Sequence, residues 1–192
     1  MRDFITVVSG LPRSGTSLMM QMLAAGGVPP LTDELRVADE SNPRGYLEFD
    51  PVKRLRSDHS WLDQARGKSV KIIHLLLPEL PVGGAYTYRV VFMQRPIEEV
   101  LASQRTMLAR QGKIAGNDAV LARVYSSQLE QTEKWLASHA EFTRLPLSYH
   151  SVLKNPAAAA QEINDFLEGE LDVFAMAAAV DPALHRERKG IS

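Results

Sequence analysis

The strongest constraint in this chain lies between Phe4 and Ala25, where a strand, a glycine loop and a helix follow one another without a gap. Phe4 to Ser9 is a continuous apolar run rich in Ile, Thr and Val, bounded by Gly10 and Pro12. A run that does not alternate reads as a strand covered on both faces, and such strands belong to parallel sheets. Ser17 to Ala25 carries Leu18, Met19, Met22 and Leu23 at helical spacing, and Gly26-Gly27 with Pro29-Pro30 stops that helix. Between them, Gly10-Leu-Pro-Arg-Ser-Gly15-Thr16-Ser17 has two glycines separated by four residues and then a hydroxyl pair that opens the helix. Glycines let the backbone turn with its N–H groups pointed inward, and a helix N-terminus adds roughly half an elementary positive charge, so this concavity suits a phosphate or sulfate. An ATP or GTP hydrolase would keep a lysine where this chain has Thr16; the basic side chain here sits inside the loop, at Arg13.

The rest of the chain repeats the strand-to-helix pattern. Strands are expected at Val70 to Leu77, Arg89 to Gln94 and Thr143 to Tyr149. Helices are expected over Pro51 to Leu62, Ile97 to Arg110 and Ala119 to Ala140, and from the Asn155-Pro156 start through Leu167. Alternation of this kind predicts one α/β domain over 1–192, with helices flanking a mostly parallel sheet in three layers. Ligands of such sheets lie beyond the carboxyl ends of the strands, so Gly10 to Ser17 and Gln94 to Ser103 should share one rim. Val28 to Asp50 is loop-like and holds an acidic cluster at Asp33, Glu34, Asp39 and Glu40. Neither an internal repeat nor a linker stands out.

Composition narrows the partners. With 192 residues and 45% hydrophobic content the chain can bury a core. Lys+Arg 22 against Asp+Glu 23 gives a net charge of -1, so there is no global field to hold nucleic acid or an anionic membrane. The absence of cysteine removes disulfides, thiolate nucleophiles and cysteine metal sites, and fits a reducing compartment. The apolar run at the start is too short for a signal peptide, and no run approaches the roughly 20 residues of a membrane span. The expectation is a soluble cytoplasmic protein; no His/Asp/Glu spacing resembles a metal site, His59 and His185 read as surface residues, and the oligomeric state is not readable.

PRSGTSLMMQML resembles the 5′-phosphosulfate loop of the sulfotransferase family, whose members use 3′-phosphoadenosine 5′-phosphosulfate (PAPS) as sulfuryl donor and release 3′-phosphoadenosine 5′-phosphate (PAP). The resemblance implies that Arg13, Ser14, Gly15, Thr16 and Ser17 cradle the phosphosulfate and that Arg13 touches the transferring group. A second match is FMQRPIEEVLAS, similar to the family's 3′-phosphate motif, with Arg95 at a strand exit and Ser103 eight positions on in the following helix. Arg95 offers a planar fork to phosphate oxygens and Ser103 a hydroxyl donor. Alternatively, Arg95 pairs with Glu98 or Glu99 and Ser103 is an ordinary small helix residue. LPLSYHSVLKNP is similar to a family segment that would place Tyr149 near the adenine, although His150 replaces the usual Glu. The C-terminal Arg188-Lys189-Gly190 resembles a family loop but lacks the rest of that motif, and reads as chance or a solvated tail.

An acceptor hydroxyl or amine must lose a proton, so a general base is expected. Glu34 is the first choice, because in the tyrosylprotein sulfotransferase branch a catalytic Glu falls at the same distance after the loop; here the segment is Asp33-Glu34-Leu35-Arg36. Asp33, Glu48 and His74 are the other candidates, with helix capping, ion pairing and a satisfied core histidine as their respective structural roles. Asp39, Glu40, Arg44 and Tyr46 are candidates for the acceptor side. No metal is expected in the reaction. The competing classes are a small metabolite kinase using ATP and magnesium, and a non-catalytic nucleotide-binding protein of the same fold.

Overall fold

The computed structural model describes residues 3–33 and 45–181. Strand β1 (Ile5–Gly10) is buried along its whole length, as its unbroken apolar run requires. Helix α1 (Thr16–Ala25) turns Met19, Met20, Met22 and Leu23 into the core. One helix was expected over 51–62, but a 3₁₀ turn at Asp50–Arg54 and a single turn, α2 (Leu62–Ala65), stand there instead. The break falls at Ser57 to Ser60, where the Asp58 carboxylate accepts from the backbone N–H and hydroxyl of Ser60 and so competes with helical bonding.

Strand β2 (Ser69–Lys71) is shorter than the expected 70–77, and a 3₁₀ turn at His74–Glu79 takes the remainder. His74 and Leu77 are buried, whereas Ile73 and Leu75 are 40% and 46% exposed, so that half of the run was never a two-sided strand. An unbroken apolar run does not separate strand from helical turn, and Pro78 has no N–H to give a ladder. Strand β3 (Tyr88–Gln94) leads into α3 (Ile97–Arg110), and α4 (Asp118–Ala137) follows, capped by the Asn117 side chain on Val120 N. Strand β4 (Phe142–Ser148) ends in a serine that caps α5 (Tyr149–Lys154). Asn155 caps α6 (Pro156–Phe166) with Pro156 at its first position, and Asp172 caps a further short helix, α7 (Val173–Ala178).

Among the described residues the four strands form one parallel sheet in the order β2-β1-β3-β4. Successive side chains on β3 point to opposite faces and serve two cores. Val91 and Met93 join Val8 and the methionines of α1 on one side, with Ile163 of α6 and Met176 of α7. Val90 and Phe92 join Ile5, Val7, Trp61 and Leu136 of α4 on the other. Helices thus cover both faces, which is the three-layer α/β arrangement expected. No described helix is long and apolar enough to cross a membrane. Because β1 and β3 are neighbours in register, with Gly10 opposite Met93, their carboxyl ends open side by side.

Candidate functional site

The loop after β1 closes on its two glycines. Gly10 has φ +143°, and a Cβ there would stand 2.6 Å from the Met93 carbonyl oxygen and from Ser14 Oγ. Gly15 has φ +105°, and its Cβ would stand 2.6 Å from Tyr149 Cδ2. Between them Arg13 adopts φ 72°, a left-handed conformation uncommon for a side-chain-bearing residue outside functional turns. No side chain caps α1 and no acidic residue occupies its first turn, so the positive end of its dipole faces the loop. Ser14 is buried, and its Oγ has no hydrogen-bond partner among the described residues.

The second predicted motif meets the first directly. Arg13 Nε donates to Ser103 Oγ at 3.1 Å, linking residues ninety positions apart. Arg95, its side chain only 6% exposed, donates through Nη1 to the Arg13 carbonyl at 3.2 Å and through Nε to Glu99 at 3.0 Å. Its Nη2 is buried with no partner among the described residues. The guanidinium lies over the Tyr149 ring, 4.6 Å from the centroid, and Tyr149 also packs against Gly15. Burial pushes the Tyr149 phenol up, against the opposing pull of Arg95 and Arg13. The ion pair to Glu99, weighed above as an alternative to phosphate binding, is therefore present, and one Arg95 nitrogen is left over.

Thr16 and Ser17 open α1 at the same rim, and here the structure adds a residue that sequence reasoning missed. Lys71, at the end of β2 and 8% exposed, donates to Ser17 Oγ at 3.1 Å and to the Tyr46 carbonyl, and lies 3.8 Å from the Glu48 carboxylate. A cation at the end of a two-sided apolar strand was the signal that could have found it. Leu47, between Tyr46 and Glu48, takes φ 50°, which lets the carbonyl before it and the carboxylate after it both reach Lys71. The ammonium that Thr16 does not supply thus arrives from the neighbouring strand.

The base candidates separate. Asp33 accepts from Asp50 N at 2.5 Å and so caps the 3₁₀ turn, the structural role weighed for it. His74 is buried between the Gly10 carbonyl at 3.3 Å and Gln128 Oε1 at 3.2 Å; burial lowers its basicity, against the raising effect of both hydrogen bonds. It ties the phosphate-type loop to α4. Glu48 stands at the rim beside Lys71. Glu34, Asp39, Glu40, Arg44, His185 and Arg188-Lys189 lie outside the described residues.

No protein-family model and no curated protein sequence matches this chain. Solved structures do match its fold. A sulfotransferase from Mycobacterium tuberculosis is similar with a TM-score of 0.59 at 16% identity, over 94% of this chain and 72% of that one. The sulfotransferase domain of the Synechococcus olefin synthase gives 0.57 at 16% identity, over 98% and 82%. The sulfotransferase domain from the curacin biosynthetic pathway gives 0.54 at 15% identity, over 100% and 93%. The chain has the sulfotransferase fold, and the loop after β1 and Arg95 after β3 meet where those two strands end.

Proposed function

We propose that this protein is a sulfotransferase that passes a sulfuryl group from PAPS to a hydroxyl or amine of its acceptor by in-line displacement. The observation that carries the reading is the junction at Arg13. Its guanidinium meets Ser103 and its carbonyl meets Arg95, so the two motifs matched to the two ends of one donor occupy one place. Two buried groups at that junction, Ser14 Oγ and Arg95 Nη2, have no partner among the described residues. A buried donor left unpaired is costly, and phosphate oxygens would accept from both. The residues present therefore fit a ligand with two anionic groups.

The donor supplies an activated sulfuryl group whose leaving group is a phosphate. Arg13, the Ser14 hydroxyl and the backbone N–H groups of Gly15, Thr16 and Ser17 hold the 5′-phosphosulfate and offset the negative charge that builds as the bond breaks, the Ser14 N–H being already donated to the Leu11 carbonyl at 3.1 Å. Arg95 and Ser103 hold the 3′-phosphate, and Tyr149 supports Arg95 at the adenine side. Lys71 adds an ammonium beside Ser17. Glu34 is the proposed base, and Glu48, 3.8 Å from Lys71, is the alternative carried forward from the described residues.

The same Lys71 favours a second reading, a kinase using ATP and magnesium, because it restores the cation missing from the loop at Thr16. Formation of PAP from PAPS with a panel of phenols, alcohols and amines, without added magnesium, tests the proposal. Turnover should fall at least about a hundredfold in Arg13→Ala, the range for losing one charge-stabilising donor, with the thermal midpoint little changed. Comparing Glu34→Gln with Glu48→Gln in the same assay identifies the base. Consumption of ATP with magnesium and none of PAPS would establish the kinase instead.

A further inference from the structure

Arg95 carries the planar fork expected of a phosphate ligand, but the fold itself engages part of that fork. Nε donates to Glu99 Oε2 at 3.0 Å and Nη1 donates to the Arg13 carbonyl at 3.2 Å. Each of the two edges that could grip a phosphate with a pair of nitrogens therefore has one nitrogen already in use. The flat face of the guanidinium is covered as well, 4.6 Å from the Tyr149 ring centroid. Nη2 remains, buried and without a partner among the described residues.

Glu99 does more than favour its helix. Two acidic residues stand in the first turn of α3, where the positive end of the dipole stabilises them. Glu98 is exposed, whereas the Glu99 side chain is only 11% exposed and is turned onto Arg95. A carboxylate buried to that degree needs partners, and the same Oε2 also accepts from His150 Nε2 at 2.9 Å. The Glu99 N–H donates to the Pro96 carbonyl at 3.0 Å, so the carboxylate projects from a turn that is itself fixed between β3 and α3. Removing it would leave Arg95 Nε buried and unpaired, with the end of the side chain held by the Arg13 carbonyl and the Tyr149 ring.

We propose that Glu99 is the positioning residue that sets the 3′-phosphate contact: by holding Nε it turns Arg95 so that Nη2 is the nitrogen that meets the phosphate. It acts through Arg95, and the inference rests on the donor-site reading above. The carboxylate has two effects of opposite sign. Its charge offsets that of Arg95 and weakens the pull on any anion, while its hydrogen bond fixes the nitrogen on which the 3′-phosphate depends. The site thereby loses some affinity for anions in general and gains selectivity for a donor with a phosphate at that position.

Glu99→Gln and Glu99→Ala separate the two effects, because both remove the charge and only the second removes the acceptor for Nε. The test is calorimetric titration of PAP, and of adenosine 5′-phosphate, which lacks the 3′-phosphate, into the full chain. PAP should bind Glu99→Ala about tenfold more weakly than Glu99→Gln, the loss of one hydrogen bond to a charged group. Adenosine 5′-phosphate should bind the two variants alike, a pattern that general loosening of the fold would not produce. In an Arg95→Ala background the two Glu99 substitutions should bind PAP equally, since no guanidinium remains to be positioned. Equal PAP affinity of Glu99→Gln and Glu99→Ala with Arg95 in place, or an equal loss for both nucleotides, would overturn the positioning role and leave the donor site standing. Failure of PAP to bind the unsubstituted chain would overturn the donor-site reading and the proposal with it.

Discussion

Gly15 shows how little freedom the loop has. A side chain there would meet the edge of the Tyr149 ring and would have to hold φ +105°. Gly27 carries a similar backbone, φ +92°, but a Cβ there would meet nothing within 4 Å. Both Gly→Ala changes should therefore lose stability from backbone strain, by about 1–3 kcal/mol in urea denaturation. Only Gly15→Ala should also weaken PAP binding, because only there does the side chain displace the ring that supports Arg95. Equal loss of affinity in both variants would contradict the packing described. Arg13, Gly15, Arg95 and Ser103 were legible in the sequence because each sits at a fixed spacing from a strand end. Lys71 and the Glu99–His150 contact were not, since one comes from a different strand and the other joins residues fifty-one positions apart.

His74 acts between elements, joining the end of β1 through the Gly10 carbonyl to α4 through Gln128. Its basicity is lowered in the fold, chiefly by burial. The unfolded chain therefore takes the proton more readily. The contribution of His74 to stability is whole above the ordinary imidazole value of about 6.5 and is lost as pH falls through the lower folded value. The thermal midpoint should drop between about pH 7 and 5, less steeply in His74→Gln than in the wild type; parallel curves would remove His74 as the cause. Among the elements, α3 and the start of α6 were readable to the residue because Pro96 and Asn155-Pro156 punctuate the chain. The segment from Val70 to Leu77 was not, because an unbroken apolar run does not separate a buried strand from the 3₁₀ turn that follows it here.

In the whole molecule, the parallel sheet with helices on both faces follows from the alternation of apolar runs and amphipathic segments. The strand order β2-β1-β3-β4 does not, since nothing local to β3 says that it inserts next to β1. That insertion brings Gly10 level with Met93 and places the glycine loop against Arg95, the residue after β3. The central claim is that these two strand ends make one donor site. Calorimetric titration of PAP without magnesium, with ATP as competitor and Arg95→Ala as the variant, tests it most directly. The account predicts magnesium-independent binding that ATP displaces poorly and that Arg95→Ala weakens by about ten- to hundredfold, the loss of one charged phosphate contact. No binding of PAP, or a preference for ATP with magnesium, would contradict it.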